Sequence, residues 1–293
     1  MEKVTGDICD PDSLLPALPG IDAVYHLAGI IAITPGKREL LDRVNVAGTR
    51  NVIDVCLASG TRRLVYTSSI HAVQEPPHGT VIDEGCPVDP DHVLGEYARS
   101  KARATLEVQK AIERGLDAVI VHPTGVVGPF DFRISEMGQL IMYFIRGRLK
   151  AYIDGAYDFA DVRDVARGMI QACHRGRRGE RYILSGQQIS IKDLMTVLEE
   201  ATGKKAPSYK VPAWLARTVG KLAPLYYRAI RSKPLFTDYS VDVLCSNSLV
   251  TSQKACRELG YTARAVSESI ADAVAWFNHN LALEPISARP SPR

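Results

Sequence analysis

The stretch Leu64-Val65-Tyr66-Thr67-Ser68-Ser69 is an apolar run that ends in three hydroxyl side chains. Similar apolar runs, at residues 23–26 and 118–122, are separated from it by two long stretches of helical periodicity, at residues 37–59 and 94–114. Strands that alternate with helices in this way are typical of βαβ units, which build a parallel sheet covered by helices. The sequence therefore predicts an α/β fold in which Gly60 and Gly115 end the two helices.

The pattern changes after about residue 130, where strands become shorter and amphipathic helices predominate. Helical periodicity is found at residues 161–172, 191–201 and 267–281, and Ser190 is placed to cap the second of these helices. We expect a second, smaller lobe in this half of the chain. The predicted main domain comprises residues 1–129 and 156–176, the smaller substrate lobe comprises residues 130–155 and 177–284, and residues 285–293 form a disordered tail.

Composition places the chain among ordinary globular proteins. Its 293 residues are 46% hydrophobic, and the formal net charge of +3 is too small to indicate a nucleic-acid partner. The six cysteines and seven histidines lack metal-ligand spacing, so we expect no metal and a reducing, cytoplasmic location. The apolar and basic stretch at residues 212–230 could lie on a membrane surface, but such stripes more often cover a core. A homodimer is compatible with the sequence.

Tyr97 and Lys101 stand four residues apart on the predicted helix at residues 94–114, so they share one face. A nearby ammonium favours the phenolate, so we expect Lys101 to lower the pKa of Tyr97 and to fit it for proton transfer. The other interpretation is two exposed helix residues, since four-residue patterns arise by chance. Ser69 follows a strand, where parallel sheets present ligands; Thr67-Ser68-Ser69 could also be a simple turn.

Asn45 lies inside a helical pattern, which is an unfavourable position for asparagine. It either bridges backbone groups or water near the site, or is a partly exposed helix residue.

Taken in order, these and several further motifs resemble the extended short-chain dehydrogenase/reductase family. The matching motifs are Gly6-Asp7-Ile8, Asp22-Ala23-Val24-Tyr25-His26-Leu27-Ala28-Gly29, Val44-Asn45-Val46-Ala47-Gly48-Thr49, Leu64-Val65-Tyr66-Thr67-Ser68-Ser69, Tyr97-Ala98-Arg99-Ser100-Lys101, His122-Pro123-Thr124-Gly125-Val126-Val127-Gly128-Pro129 and Phe159-Ala160-Asp161-Val162-Arg163-Asp164-Val165-Ala166.

The resemblance implies a Rossmann-type sheet with a small C-terminal substrate lobe, and hydride transfer to or from a nicotinamide ring. Tyr97 would be the acid/base, Lys101 would hold the ribose, Ser69 would orient the substrate oxygen, and Asn45 would support this catalytic group. The residues that the resemblance places along NAD or NADP are Asp7, Ile8, Leu27, Ala28, Gly29, Thr67, Ser68, Tyr97, Lys101, Pro123, Thr124, Gly125 and Val126.

The chain departs from the family at its start. The family opens with a strand, a GxxGxxG loop and a helix, whereas the first recognisable element here, ending at Val4-Thr5, matches the family's third strand. The second strand, whose end distinguishes NAD from NADP, is missing too, so the choice between them stays open. We therefore expect an N-terminally incomplete sheet with an apolar edge beside Val24, weak dinucleotide binding, and a truncated form of a longer protein. A natural minimal form is the alternative.

Three functions fit the resemblance. Sugar epimerases often carry arginine and asparagine where this chain has His122 and Thr124, and sugar dehydratases use Thr-Asp-Glu where it has Thr67-Ser68-Ser69. This favours a reductase or dehydrogenase that interconverts a carbonyl and an alcohol on a small, apolar substrate. A nucleotide-sugar epimerase and a non-catalytic dinucleotide-binding protein are the alternatives.

Overall fold

The computed structural model describes residues 2–32, 36–212, 214–216, 218 and 238–281. Its strands are β1 (Ala23–His26), β2 (Arg63–Thr67), β3 (Ala118–Pro123), β4 (Gly125–Val127), β5 (Ala151–Ile153), β6 (Ala156–Asp161), β7 (Arg181–Leu184), β8 (Gln187–Ser190) and β9 (Tyr209–Val211). Its helices are α1 (Arg38–Leu41), α2 (Gly48–Ser59), α3 (Gly95–Glu113), α4 (Glu136–Ile145), α5 (Val162–Arg175), α6 (Ile191–Thr202), α7 (Asp238–Leu244), α8 (Gln253–Leu259) and α9 (Val266–Leu281).

The centre of the fold is a parallel sheet with the strand order β1-β2-β3-β7. Every residue of β3 is buried, as expected for a strand covered on both faces. Leu64 and Ile120 pack with α2 and α3 on one face, while Val119 and Val121 pack with α5 and α8 on the other. The predicted α/β fold is confirmed, and the carboxyl ends of the strands meet at one edge of the sheet.

The second half of the chain builds a smaller layer from β4, β6 and β8, which pair in that order. Its apolar core joins α4, α6 and α9, with Leu194, Leu198 and Ile270 fully buried. Residues 181–184, assigned from the sequence to the smaller lobe, form β7 and pair with β3 in the main sheet.

The helix ends follow the sequence closely. Gly60 and Gly203 adopt positive φ angles of 68° and end α2 and α6, because only glycine enters this conformation without steric cost. The Ser190 hydroxyl accepts a hydrogen bond from the Asp193 amide at 3.0 Å and caps α6. The boundaries predicted at Gly60 and Ser190 are confirmed.

One prediction near the start is wrong. Residues 4 and 5 form no strand, and Val4 is half exposed. Residues 11–18 form two short 3₁₀ turns, Pro11–Ser13 and Leu15–Ala17, because Pro16 lacks the N–H that a continuous helix needs.

The strand order ends at β1, where Tyr25 is exposed but Val24 packs against the core. Most of the stretch at residues 212–230 and the tail from residue 282 lie outside the described residues. No helix in the described part of the chain is long and apolar enough to cross a membrane.

Candidate active site

Ser69, Tyr97 and Lys101 come together at the carboxyl end of β2. Ser69 follows this strand and caps a 3₁₀ turn, Ile70–Ala72, and its Oγ accepts a hydrogen bond from the His71 amide at 3.3 Å. Tyr97 lies one turn before Lys101 on α3, and the Ser69 side chain is close enough to its hydroxyl to lower the pKa of Tyr97. The two hydroxyl groups can therefore reach a common oxygen atom.

Lys101 is buried beneath this pair. Its Nζ donates a hydrogen bond to the Thr67 carbonyl oxygen at 2.6 Å and lies 4.8 Å from the centre of the Tyr66 ring. Burial lowers the pKa of Lys101 to about 8. Among the described residues Lys101 forms no ion pair, so the Thr67 carbonyl and the face of the Tyr66 ring are the groups that stabilise its charge.

The expected lowering of the pKa of Tyr97 by Lys101 is wrong. Burial raises the pKa of Tyr97, and the Ser69 side chain offsets this only in part. The reason lies in the Lys101 ammonium, which is directed to the Thr67 carbonyl and the Tyr66 ring instead of the Tyr97 hydroxyl. Tyr97 is therefore a protonated acid at neutral pH.

Asn45 is 2% exposed and bridges backbone groups, which decides between its two interpretations. It lies in a π-helical turn, Asp42–Ala47, between α1 and α2. Its Oδ1 accepts from the Ile30 amide at 2.8 Å, and its Nδ2 donates to the Ile30 carbonyl at 3.0 Å and to the Ser100 hydroxyl at 3.0 Å. Ser100 in turn donates to the Tyr97 carbonyl, so Asn45 ties the loop after β1 to the start of α3.

A buried histidine extends this network to the sheet. The Thr49 hydroxyl donates to the Asn45 carbonyl at 2.6 Å, so the hydrogen bond of 2.9 Å between His26 and Thr49 is donated by His26 Nε2. Burial, and secondarily the Lys101 charge, lower the pKa of His26 to about 4. His26 is therefore neutral and fixes the end of β1 against α2.

The structure adds three aromatic residues that the sequence analysis did not identify: His71, Tyr157 and Tyr239. The His71 ring lies 6.4 Å from the Tyr97 ring, 5.8 Å from Tyr157 and 6.3 Å from Tyr239 between ring centres. His71 Nε2 and the Tyr157 hydroxyl form a hydrogen bond of 2.8 Å. They come from three distant segments, so no local motif could have grouped them.

The candidate cofactor residues of the first half line the same edge of the sheet. Asp7 and Ile8 are held against α2, because Asn51 donates to the Ile8 carbonyl at 2.8 Å and Gly48 leaves room for the Ile8 side chain. Leu27, Ala28 and Gly29 form an exposed loop after β1. A Cβ at Gly29 would lie 3.2 Å from Asn45 Oδ1, so the glycine suits the Asn45 anchor.

Thr67 and Ser68, at the end of β2, have side chains with different surroundings. Thr67 is half-buried and offers its carbonyl to Lys101. The Thr105 hydroxyl donates to the Lys101 carbonyl, so Ser68 donates to Thr105 at 2.7 Å and its hydroxyl faces α3.

The segment after β3 closes the site. Pro123 and Thr124 are buried, whereas Gly125 is half-buried and Val126 is exposed. A Cβ at Gly125 would lie within 2.8 Å of the Phe159 and Tyr157 rings, so this glycine lets both rings approach the strand.

His122 stands just before this segment and is buried. Burial lowers its pKa to about 3, so its Nδ1 donates to the Ser69 carbonyl at 3.0 Å as a neutral ring. The hydrogen bond holds the backbone of the Ser69 turn against β3.

Comparison with known proteins identifies the family. A model of the NAD dependent epimerase/dehydratase family matches residues 2–185. The chain belongs to this family. The match spans the main sheet, the Ser69 turn and α3, which together carry the site.

Among the similar proteins are one named as a sterol demethylase and one named as a reductase. The chain is 38% identical over 279 residues to sterol demethylase protein B of Methylococcus capsulatus, covering 94% of this chain and 85% of the relative. It is 31% identical over 274 residues to 2-alkyl-3-oxoalkanoate reductase of Stenotrophomonas maltophilia, covering 88% and 81%. The crystal structure of gox2253 superposes with a TM-score of 0.81 at 34% identity, covering 94% of this chain and 84% of that one.

Proposed function

We propose that the protein is an NAD(P)-dependent oxidoreductase that interconverts a carbonyl and an alcohol on a small substrate with an apolar body. The observation that carries the proposal is the placement of the Ser69 and Tyr97 hydroxyl groups at the carboxyl end of β2, beside the buried ammonium of Lys101. A hydroxyl pair that shares one oxygen, with a cation close by, is suited to moving a proton at a carbinol oxygen.

Each residue has a distinct task in carbonyl reduction. Tyr97 begins as a protonated acid, because burial raises its pKa, and it gives its proton to the carbonyl oxygen. Ser69 donates a second hydrogen bond to that oxygen and orients it. Lys101, charged below a pH of about 8, stabilises the phenolate that the transfer leaves on Tyr97 once its ammonium turns from the Thr67 carbonyl towards Tyr97. In the oxidative direction Tyr97 has to begin as the phenolate, and it accepts the proton that the alcohol releases.

The residues present fit a nicotinamide cofactor. The Lys101 ammonium has three N–H donors and uses one in the hydrogen bond to Thr67, so the other two can donate to ribose hydroxyls. The exposed loop at Leu27, Ala28 and Gly29 stands at the adjoining strand end, where open α/β sheets take their ligands. When bound, the cofactor supplies or accepts the hydride. The choice between NAD and NADP stays open.

The walls of the site favour an apolar substrate body. His71, Tyr157 and Tyr239 place three rings beside Tyr97, and Phe159 lies 5.4 Å behind Tyr157. The two relatives compared above, named for sterol demethylation and for reduction of an oxo acid, have substrates of this character.

The test is a spectrophotometric assay of NADH and NADPH oxidation at saturating cofactor. We expect aryl and alicyclic ketones to be reduced. Sugar nucleotides should give neither cofactor oxidation nor an epimerised product by chromatography. Epimerisation of a nucleoside-diphosphate sugar without turnover of any ketone would replace the proposal with the epimerase function.

A further inference from the structure

His71 and Tyr157 form a hydrogen-bonded pair on the wall of the site, and neither belongs to the group that moves the proton. The bond between His71 Nε2 and the Tyr157 hydroxyl is 2.8 Å, and the two rings stack at an angle of 22°. His71 comes from the turn after Ser69, whereas Tyr157 comes from β6 in the second sheet. The pair therefore spans the two layers at the point where Tyr97 lies.

The pair is held in place from both sides. The His71 amide is bound to Ser69 Oγ, which fixes the position of the ring relative to the reacting groups. The Tyr157 ring rests against Gly125, where any side chain would collide with it at 2.8 Å. A side chain positioned this firmly suits recognition of a ligand better than a mobile one.

One position for hydrogen bonding is left on the Tyr157 oxygen. Burial lowers the pKa of His71 to about 4, so the imidazole is neutral and shares a single proton with Tyr157. In one tautomer the phenol oxygen can accept a further hydrogen bond, and in the other it can donate one. Both rings keep part of their surface accessible, as does Tyr97.

Two cavities adjoin the pair. One of about 20 Å³ touches both His71 and Tyr157, and Thr124 and Asp158 also line it. The other, of about 90 Å³, touches His71 and is lined otherwise by Val73, Glu75, His92, Val93, Leu94 and Val243. The larger cavity combines four aliphatic side chains with Glu75 and His92, so an apolar substrate body and one oxygen atom can be accommodated beside His71. Burial, and after it the charges of nearby groups that include Asp158 and Glu75, raise the pKa of Tyr157. The same negative charges would repel an anionic oxygen, so the pair favours an uncharged one.

We propose that His71 and Tyr157 bind a second oxygen of the substrate, carried a few bonds from the carbonyl that Tyr97 protonates. The inference rests on the proposed function, because it names a substrate feature of the same site. His71 and Tyr157 are then specificity-determining residues, and Tyr97, Ser69 and Lys101 remain responsible for the chemistry.

The test compares propiophenone with its α-hydroxy and β-hydroxy analogues and with benzoylacetate. Binding to the protein with saturating NAD⁺ or NADP⁺ is measured by saturation-transfer NMR, and reduction is measured separately with NADH and NADPH. We expect at least one oxygenated probe to bind about three- to tenfold more tightly than propiophenone, which is the size of one hydrogen bond. The hydroxy ketones and benzoylacetate distinguish an uncharged oxygen from a carboxylate.

Tyr157→Phe keeps the ring and removes the hydroxyl, so it should abolish this preference while propiophenone binds as before. Tyr182→Phe is the matched control: it removes a tyrosine hydroxyl that donates to Glu258 at 2.9 Å and lines neither cavity. It should leave the preference intact. The inference is overturned if all four probes bind the wild type equally, or if none binds. It is also overturned if the preference for an oxygenated probe survives in Tyr157→Phe. A Tyr157-dependent preference without reduction of any probe would uphold the inference and contradict the proposed function.

Discussion

Replacing Lys101 by methionine should remove a costly buried charge together with the enzyme's activity. Burial lowers the pKa of Lys101 from 10.5 to about 8. Since each pKa unit corresponds to about 1.4 kcal/mol, the buried ammonium costs about 3 kcal/mol at pH 7. Lys101→Met removes this destabilisation but also loses the hydrogen bond to Thr67, which contributes about 1.5–3 kcal/mol. The variant should therefore be at least as stable as the wild type at pH 7.

The pH dependence separates these two contributions. Between pH 8 and 10.5 the unfolded wild type binds a proton at Lys101 that the folded state has released, so the stability of the wild type rises with pH. By pH 9.5 about 2 kcal/mol of the cost should be recovered. The methionine variant has no group to titrate here. Relative to Lys101→Met, the wild type should therefore gain about 2 kcal/mol between pH 7 and pH 9.5.

Urea unfolding of both proteins at the two pH values measures this gain. Lys192→Met, which removes an exposed lysine on α6, is the control and should follow the wild type at both pH values. A stability difference between the wild type and Lys101→Met that is the same at pH 7 and pH 9.5 would refute the reasoning. It would mean that the Lys101 ammonium is solvated instead of buried.

Three further substitutions test other parts of the structure. Asn45→Ala removes two hydrogen bonds to Ile30 and one to Ser100, and should lower the free energy of unfolding by about 2–3 kcal/mol, measured in urea. Burial raises the pKa of Asp161, but hydrogen bonds from Arg163 outweigh it and lower the pKa to about 2. The difference in free energy of unfolding between the wild type and Asp161→Asn should therefore fall by about 2 kcal/mol from pH 6 to pH 2. Gly125→Ala should cost about 1–3 kcal/mol in thermal or urea unfolding, because its Cβ would meet two aromatic rings of β6.

The fold could be predicted where the signal is local. Alternating apolar runs and helical periodicity indicate the parallel sheet, and glycines at helix ends mark the boundaries of α2 and α6. The second sheet could not be predicted in the same way, because β4 has three residues and shows no periodicity. The place of β7 depends on its pairing with β3, about sixty residues earlier, and a short apolar strand does not specify its neighbour.

The site could be predicted in part for the same reason. The spacing of Tyr97 and Lys101 and the strand end at Ser69 are local features, and asparagine within a helical pattern is an unusual choice that points to Asn45. The direction of the Lys101 ammonium is not local: it depends on the Thr67 carbonyl, which lies on another element. The pairing of His71 with Tyr157, 86 residues apart, depends wholly on the tertiary fold.

The most direct test of the proposed chemistry is the steady-state reduction of a ketone by Tyr97→Phe beside the wild type. Loss of a general acid typically costs about 10²–10⁴-fold in rate. We predict a loss of this size in kcat. The affinity for NAD(P)H, measured by fluorescence titration, should stay within about threefold of the wild type, since Lys101 and the loop after β1 remain. A Tyr97→Phe variant whose kcat lies within a factor of about two of the wild type would contradict the assignment of Tyr97 as the proton donor.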